Sequence, residues 1–156
     1  MTDENDLTYL QKSRIRIEAL IPVIRAIEKE IGVERAHLIV RKALADEVRE
    51  QIPASRRGRI PGRMPITSAG LDASFASDGA LEYEVLREDD EAFEFNVTGC
   101  RYKALMIELG ALDLGKLFFC DNDFPSAEAM GLDLVRTQTC MQGASHCDFR
   151  YRIRKD

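Results

Sequence analysis

The spacing of the apolar residues changes once along this chain, and that change limits the possible folds more than any other feature of the sequence. In residues 6–50 apolar side chains recur every three or four positions, which is the period of one face of an α-helix. Between Leu81 and Val97, and again from Leu132, they alternate with polar residues, as in a half-buried β-strand. Helices followed by strands predict an α+β domain.

Two helices are predicted at the N-terminus, over residues 6–30 and 33–50. Pro22 lacks a backbone donor and is predicted to kink or divide the first helix near residues 19–21, and Gly32 is predicted to end it. Two amphipathic helices cannot bury both apolar stripes alone, so we expect them to pack on the later sheet, on another subunit or on both, and a homodimer is possible. The first stripe contains Leu7, Leu10, Ile17, Leu20, Ile21, Ile24, Ile27 and Ile31.

The segment between the helices and the first strand, residues 53–80, is predicted to be a long loop. It contains three prolines and four glycines and has neither a helical nor an alternating pattern. Four arginines, Arg56, Arg57, Arg59 and Arg63, concentrate positive charge there. They could attract an anionic substrate and cover it, or they could be an ordinary solvated basic run.

The remainder of the chain is predicted to complete an antiparallel sheet of about four strands interrupted by two helices. The whole chain, residues 1–156, is therefore predicted to be a single domain, with a helical pair (1–52), the loop (53–80) and an α+β region (81–156). Its predicted elements are a hairpin over 81–85 and 93–97, helices over 101–109 and 112–119, an irregular turn with one helical turn over 121–131, strands over 132–137 and 147–154, and a bend over 141–145 with Gly143 at positive φ.

Composition narrows the possible partners and the compartment. A net charge of -5 disfavours nucleic acid and anionic membrane as partners, which leaves a small molecule or another protein. We expect a small-molecule substrate, and the other reading is a protein-interaction domain that uses the N-terminal helices. The acidic, polar N-terminus has no apolar signal-like stretch, which predicts a cytoplasmic protein. The four cysteines are then expected to be reduced thiols.

Three of the cysteines, Cys100, Cys120 and Cys147, are predicted near the ends of elements, from which side chains converge on a pocket. Thiolates together with His146 and Asp123 would suit zinc. The chain has no C-x-x-C or H-x-x-x-H pair, however, and we predict no metal and no cofactor.

A thiol nucleophile is a second possibility, in which His146 deprotonates a cysteine that attacks an electrophilic carbon. His146 and Cys147 are neighbours on a predicted strand, so their side chains should point to opposite faces. Cys100 or Cys120 is geometrically freer to pair with the histidine.

Carboxylates offer a third possibility. Asp121, Asp123 and Asp148 lie beside the cysteines in the sequence, and one of them could act as a general base or orient the histidine. Arg136 and Arg150 are candidates for holding a substrate carboxylate through paired hydrogen bonds.

Three blocks in the C-terminal half carry a resemblance to a known family. FNVTGCRYKALMIELG (95–110), LGKLFFCDNDF (114–124) and LVRTQTCMQGASHCDFRYR (134–152) resemble, in sequence and in order, the L-2-amino-thiazoline-4-carboxylic acid hydrolase family. The resemblance implies hydrolytic opening of a 2-amino-thiazoline-4-carboxylate ring to a carbamoyl-cysteine, on a bacterial route to L-cysteine. The family's pattern falls on Cys100, Tyr102, Cys120, Asp123, Arg136, Thr137, Gln138, Gly143, His146, Cys147, Asp148 and Phe149.

These observations lead to one predicted site. The ring carbon between nitrogen and sulfur is isothiourea-like, so the enzyme has to deliver a nucleophile to it and protonate the departing atom. The predicted catalytic residues are Cys100, Cys120, Asp123, His146, Cys147 and Asp148, and the predicted substrate-binding residues are Tyr102, Arg136, Gln138 and Arg150. We expect them around one cavity, and the alternative is a sensor or carrier domain that binds a small molecule without turnover.

Overall fold

The computed structural model describes residues 6–53 and 62–155, and begins with the predicted helical pair. Helix α1 (Tyr9–Ile31) and helix α2 (Val33–Gln51) are joined at Gly32, whose φ of 85° ends α1. A capping box starts α1, since Gln11 N donates to Thr8 Oγ1 at 3.2 Å and Thr8 N donates to Gln11 Oε1 at 2.8 Å.

Helix α1 is continuous through Pro22, so proline does not divide it, and of the two predicted effects only a kink near residues 19–21 stays a prediction. Ile17 and Ile24, on either side of Pro22, are both buried in the same apolar cluster. Packing of this one face stabilises both halves of the helix and outweighs the single backbone hydrogen bond that proline removes.

The long-loop prediction holds only in part for the described residues 62–80. Helix α3 (Ser68–Asp72) forms there, capped by the Thr67 side chain, which accepts a hydrogen bond from Gly70 N at 3.1 Å. Met64 is buried against the sheet. Arg63 is exposed, and the other three arginines of the predicted basic run, Arg56, Arg57 and Arg59, lie outside the described residues.

The predicted α+β fold with a four-stranded antiparallel sheet is confirmed. Its strands are β1 (Leu81–Glu88), β2 (Ala92–Cys100), β3 (Leu132–Val135) and β4 (Cys147–Ile153), in the order β1-β2-β4-β3. The central pair, β2 and β4, is in register with Phe95 opposite Phe149 and Val97 opposite Cys147. These apolar residues share one face of the sheet because side chains alternate along a strand.

Three helices lie between β2 and β3: α4 (Arg101–Glu108), α5 (Gly115–Phe118) and α6 (Asp123–Ala129). The predicted second helix is shorter than expected, because residues 112–114 form a 3-10 turn before α5. Helix α6 is longer than the single helical turn predicted within the irregular segment over residues 121–131. None of the helices in the described ranges combines the length and the apolar character needed to cross a membrane.

Two apolar clusters form the core. The first joins α1 and α2 to the helices that follow β2, through Ile17, Ile24, Leu44, Met106 and Leu114. The second covers the inner face of the sheet and includes Phe93, Phe95, Val97, Leu132 and Tyr151. Cys100 packs against both clusters, so the end of β2 lies where they meet.

Candidate active site

A buried arginine and a partly exposed aspartate form the centre of the candidate site. Asp123 is the first residue of α6, and Arg136 follows the last residue of β3. The Arg136 guanidinium forms an ion pair with the Asp123 carboxylate through Nη1, and its Nη2 donates to the Cys120 carbonyl at 2.9 Å. The Arg136 side chain is 3% exposed and that of Asp123 is 27% exposed, so only the carboxylate can be reached from solvent.

Two aromatic rings hold the guanidinium of Arg136 in place. The guanidinium carbon lies 5.0 Å from the centre of the Phe124 ring and 5.2 Å from that of Phe149. Phe149 is on the inner face of β4, and alternation beyond β3 places Arg136 on the same face as Leu134. Cation–π contacts and the ion pair together fix the positive charge of Arg136 beside the Asp123 carboxylate.

The environment of Asp123 suits it to proton transfer. Burial raises the pKa of its carboxyl from 3.8 to about 6, and the charge of Arg136 and its hydrogen bond oppose this rise only in part. A carboxylate with this pKa is mostly ionised at pH 7 and still accepts a proton readily, as a general base requires.

Two thiols adjoin this carboxylate. Burial, and then the negative charge of Asp123, raise the pKa of Cys120 to about 12. Burial also raises the pKa of Cys100, with a smaller contribution from Asp123. Both cysteines are half-buried free thiols. At neutral pH they are therefore protonated, which makes them weak hydrogen-bond donors rather than thiolate nucleophiles.

Cys147 is buried at the start of β4 and packs in the inner-face cluster. Its Sγ accepts a hydrogen bond from Cys140 N at 3.1 Å, and burial raises its pKa to about 12. The neighbouring Cys140 Sγ donates to the Val97 carbonyl at 3.3 Å. Both thiols thus have contacts with the backbone inside the core, which favours packing roles.

Tyr102 is buried at the start of α4, and its hydroxyl already has a hydrogen-bond partner within the protein. The Oη atom donates to the Phe75 carbonyl at 2.8 Å, and the ring packs against Phe119 with centres 4.8 Å apart. Burial raises the pKa of Tyr102. The residue fastens the 62–80 segment to α4 beside Cys100.

His146 and Gln138 form a separate polar group. The amide of Gln138 approaches the two ring nitrogens of His146 at 3.1 and 3.2 Å, and Ser145 Oγ is 2.9 Å from Nδ1. Within the described parts of the chain, His146 makes no hydrogen bond with a thiol or with Asp123. The imidazole therefore does not join the Asp123 cluster that sequence reasoning expected it to complete.

Asp148 acts as an anchor for the chain that crosses to β4. It accepts hydrogen bonds from Thr137 N at 2.8 Å, Thr137 Oγ1 at 2.5 Å and Gln138 N at 2.9 Å. Burial opposes ionisation of Asp148, but these hydrogen bonds outweigh it and lower the pKa. The carboxylate is fully engaged in fixing residues 137–138.

Arg150 lies on the outer face of the sheet, opposite to Phe149 and Arg136. Its guanidinium donates to the Phe95 and Phe149 carbonyls at 3.1 and 2.8 Å and to Asn96 Oδ1 at 2.9 Å. Strand alternation separates it from Asp123. The structure thus brings together Cys100, Cys120, Asp123 and Arg136, with Tyr102 beside them, and places Gln138, His146, Asp148 and Arg150 elsewhere.

Two residues near this cluster have no signal in the sequence pattern. Thr139 is buried, and a hydrogen bond from its side chain partly offsets the raised pKa of Cys120. Tyr9 lies close enough to Asp123 for the carboxylate charge to act on its phenol. The positions of Thr139 and Tyr9 beside the cluster depend on tertiary contacts between segments that are far apart in the sequence.

An open groove beside Phe124 is lined by α6 and β3, and its lining contains neither the thiols nor Asp123 or His146. Among residues 6–53 and 62–155 no three histidine, cysteine or acidic side chains are arranged to hold a metal ion.

A protein-family model described as L-2-amino-thiazoline-4-carboxylic acid hydrolase matches residues 12–151. The match confirms the resemblance carried by the three C-terminal blocks and extends it over α1 and α2. No curated protein matches the chain.

Proposed function

Because the chain belongs to the L-2-amino-thiazoline-4-carboxylic acid hydrolase family, we propose that it hydrolyses a small cyclic amino-thiazoline carboxylate to a carbamoyl-cysteine. The observation that carries the proposal is Asp123, an accessible carboxylate with its pKa raised to about 6, fixed by a buried cation and flanked by two thiols. This arrangement supports general acid–base chemistry on a small polar molecule.

In the proposed reaction Asp123 removes a proton from a water molecule, the water oxygen bonds to the ring carbon between nitrogen and sulfur, and the π electrons of the C=N bond move to the ring nitrogen. The tetrahedral adduct then collapses to a carbonyl as one ring single bond from that carbon breaks. The two protons of the water, one carried by Asp123 and one lost by the adduct hydroxyl, end on the ring nitrogen and on the departing atom. The product is the substrate plus one water. Water is proposed as the nucleophile because both nearby thiols have raised pKa values and are protonated at neutral pH.

Arg136 has a positioning role in this proposal. Its guanidinium is buried, paired with Asp123 and bonded to the Cys120 carbonyl, so it fixes the base and the turn that carries Cys120. Such a charge keeps the Asp123 carboxylate ionised at working pH in spite of burial. In this proposal the protonated thiols of Cys100 and Cys120 donate hydrogen bonds beside the reacting carbon.

The test is incubation of the purified protein with the amino-thiazoline carboxylate, followed by mass spectrometry of the mixture. We expect a product heavier by one water, and we expect Asp123→Asn to lower kcat by at least about 100-fold because the base is lost. The matched control is Asp133→Asn, which removes an exposed carboxylate on β3 and should leave the rate unchanged.

Cys120→Ser separates the two possible roles of the thiol. Serine keeps a donor, so a water mechanism predicts a much smaller fall in kcat than a covalent one. Equal rates for the wild type and Asp123→Asn would remove Asp123 from the mechanism. Binding of the carboxylate without any product would support a small-molecule-binding domain.

The proposal also includes a cellular setting, a cytoplasmic step in bacterial L-cysteine supply. Expression in a bacterium that requires cysteine should permit growth on the amino-thiazoline carboxylate, and the Asp123→Asn variant should not. Failure of the cells that express the wild-type protein to grow would contradict this setting.

A further inference from the structure

Tyr9, the first residue of α1, lies beside the site with a hydroxyl that makes no hydrogen bond to the described part of the fold. Its ring packs against Phe75 with centres 4.3 Å apart, and the residue is 40% exposed. The Tyr9 hydroxyl has no hydrogen-bond partner among the residues that the structure describes. By contrast, the hydroxyls of Tyr83 and Tyr102 both donate to protein acceptors.

A row of aromatic rings connects Tyr9 to the turn that carries Cys120. The Phe75 ring, which contacts Tyr9, lies 6.3 Å from the Tyr102 ring, and Tyr102 packs on Phe119, the residue before Cys120. At this position the phenol of Tyr9 is within the electrostatic reach of Asp123. The charged groups that act on it are Arg16 from its own helix, Glu47 from α2 and Asp123 from α6. Arg16 is ion-paired with Glu47. Tyr9 therefore stands where α1 and α2 approach the Asp123 carboxylate.

The start of α1 holds Tyr9 in this position. Reciprocal hydrogen bonds between Thr8 and Gln11 fix the first turn, and Ser13 Oγ donates to the Tyr9 carbonyl at 2.9 Å. A residue at the first helical position next to a capping box has a defined backbone. The side chain is thus placed by the cap and by Phe75 rather than left free.

The chemistry of the proposed substrate calls for such a donor. Asp123 is negative and repels the carboxylate that the substrate carries, so another group has to hold that carboxylate. Arg136 is buried in its ion pair, and Arg150 is bonded to backbone and Asn96 on the other face of the sheet. Burial raises the pKa of Tyr9, opposed by Arg16 and reinforced by Asp123 and Glu47, so the phenol stays protonated and can donate.

We propose that Tyr9 is a specificity-determining residue whose hydroxyl donates a hydrogen bond to the carboxylate of the substrate bound beside Asp123. The inference rests on the proposed function for the identity of that substrate. Tyr9 lies before residues 12–151, which the family model matches. Its effect is therefore expected in the selection of carboxylate substrates by this chain and not in the shared chemical step.

Tyr9→Phe tests the proposal because it keeps the ring against Phe75 and removes only the hydroxyl. Loss of a hydrogen bond to a charged group should raise KM for the carboxylate substrate roughly tenfold or more, with kcat within about twofold. The preference for this substrate over the same ring without its carboxylate should shrink by the same factor. Equal KM values for the variant and the wild type would overturn the proposal.

Tyr83→Phe is the matched control. The Tyr83 hydroxyl donates to Asp72 at 2.6 Å and so stabilises the fold without approaching the site. This variant should lose stability and keep its KM, whereas Tyr9→Phe should keep its stability and lose substrate preference. A raised KM in both variants would contradict a specific role for Tyr9.

A measurement independent of turnover uses protein labelled with ¹³C at the tyrosine ζ carbon. The Tyr9 resonance should move with a midpoint near pH 6 as Asp123 ionises, and it should not do so in Asp123→Asn. It should also move when the carboxylate ligand binds, and not with the descarboxy analogue. A silent Tyr9 resonance would overturn the proposal even in an active enzyme, and a responsive one without hydrolysis would support Tyr9 while contradicting the proposed function.

Discussion

At the scale of single residues, the site depends on unequal burial of two opposite charges. Arg136 is enclosed by Phe124 and Phe149, and its partner Asp123 keeps a solvent-facing edge. Because desolvation exceeds the attraction of the arginine, the pKa of Asp123 rises to about 6 instead of falling as in most ion pairs. The carboxyl can therefore change protonation near neutral pH.

This raised pKa predicts a pH-dependent stability with a definite sign. The carboxyl of Asp123 ionises near pH 4 in the unfolded chain and near pH 6 in the folded chain. The folded state therefore keeps its full stability below about pH 4, where the carboxyl is protonated in both states. This contribution is lost as pH rises through 6. Two pKa units correspond to about 3 kcal/mol. The difference in unfolding free energy between the wild type and Asp123→Asn, measured in urea from pH 3 to 8, should fall by up to this amount.

Asp148→Asn provides a control of opposite sign. The pKa of Asp148 is lowered in the fold, so its stabilisation is present above pH 4 and is lost as pH falls. The wild type should therefore gain stability over this variant as pH rises. The same slope in both series would show that Asp123 is not desolvated.

At the scale of elements, the turn before α6 is fixed by the helices around it. Asp121 accepts from Arg41 of α2 at 2.9 Å and is ion-paired with Lys116 of α5. Arg49 of α2 contacts Glu128 of α6 at 3.0 Å. These contacts hold Cys120 and Asp123 in place on a segment that is too short to be rigid alone.

Helix α5 packs closely at Gly115 against the turn over residues 140–142. A Cβ at this position would lie 2.3 Å from Met141 Sδ, and Met141 is buried. Gly115→Ala should lower the free energy of unfolding by about 1–3 kcal/mol through overpacking, measured by urea denaturation.

The double variant Gly115→Ala/Met141→Ala tests whether contact with Met141 causes the loss of stability in Gly115→Ala. Met141→Ala alone leaves a cavity and is also destabilising, but it creates the space that the added methyl needs. The double variant should lose clearly less stability than the sum of the two single changes. Additive losses would place the strain of Gly115→Ala somewhere other than at Met141.

At the scale of the whole molecule, the helical pair is part of the core and not an appendage. Part of the α1 stripe that could have faced a second subunit packs inside the chain, with Ile17 and Ile24 buried beside Met106 and Leu114, whereas Ile31 is exposed. Cys100 joins this cluster to the sheet cluster. The homodimer stays a prediction, which sedimentation analysis of the purified protein can check.

Continuity of the core predicts a single unfolding transition for the chain. Ile24→Ala should lower the free energy of unfolding by about 2–5 kcal/mol, because it removes buried methyl groups that pack between helices. Circular dichroism at helical wavelengths and tyrosine fluorescence should report the same midpoint. Val23→Ala, at the exposed neighbouring position, should change stability by less than about 0.5 kcal/mol. Two separate midpoints would contradict a shared core.

Periodicity in the sequence determined the fold class and most of the elements. The stripe of α1, the alternation of β2 and β4, and Gly143 with its φ of 96° are local properties, set by which backbone conformations and faces the residues favour. Such signals missed the short helix α3 and indicated only one turn of α6, because brief helices carry too few residues to display a period.

Only the tertiary structure decided which candidate side chains meet. The sequence indicated that His146 and Cys147 diverge, but a period says nothing about what packs against a face. Asp123 meets Arg136 because α6 folds back over β3, and Tyr9 approaches Asp123 because α1 packs on the helices after β2. Local residue preferences shape each element, whereas burial of the apolar faces against one another selects the neighbours and so assembles the site.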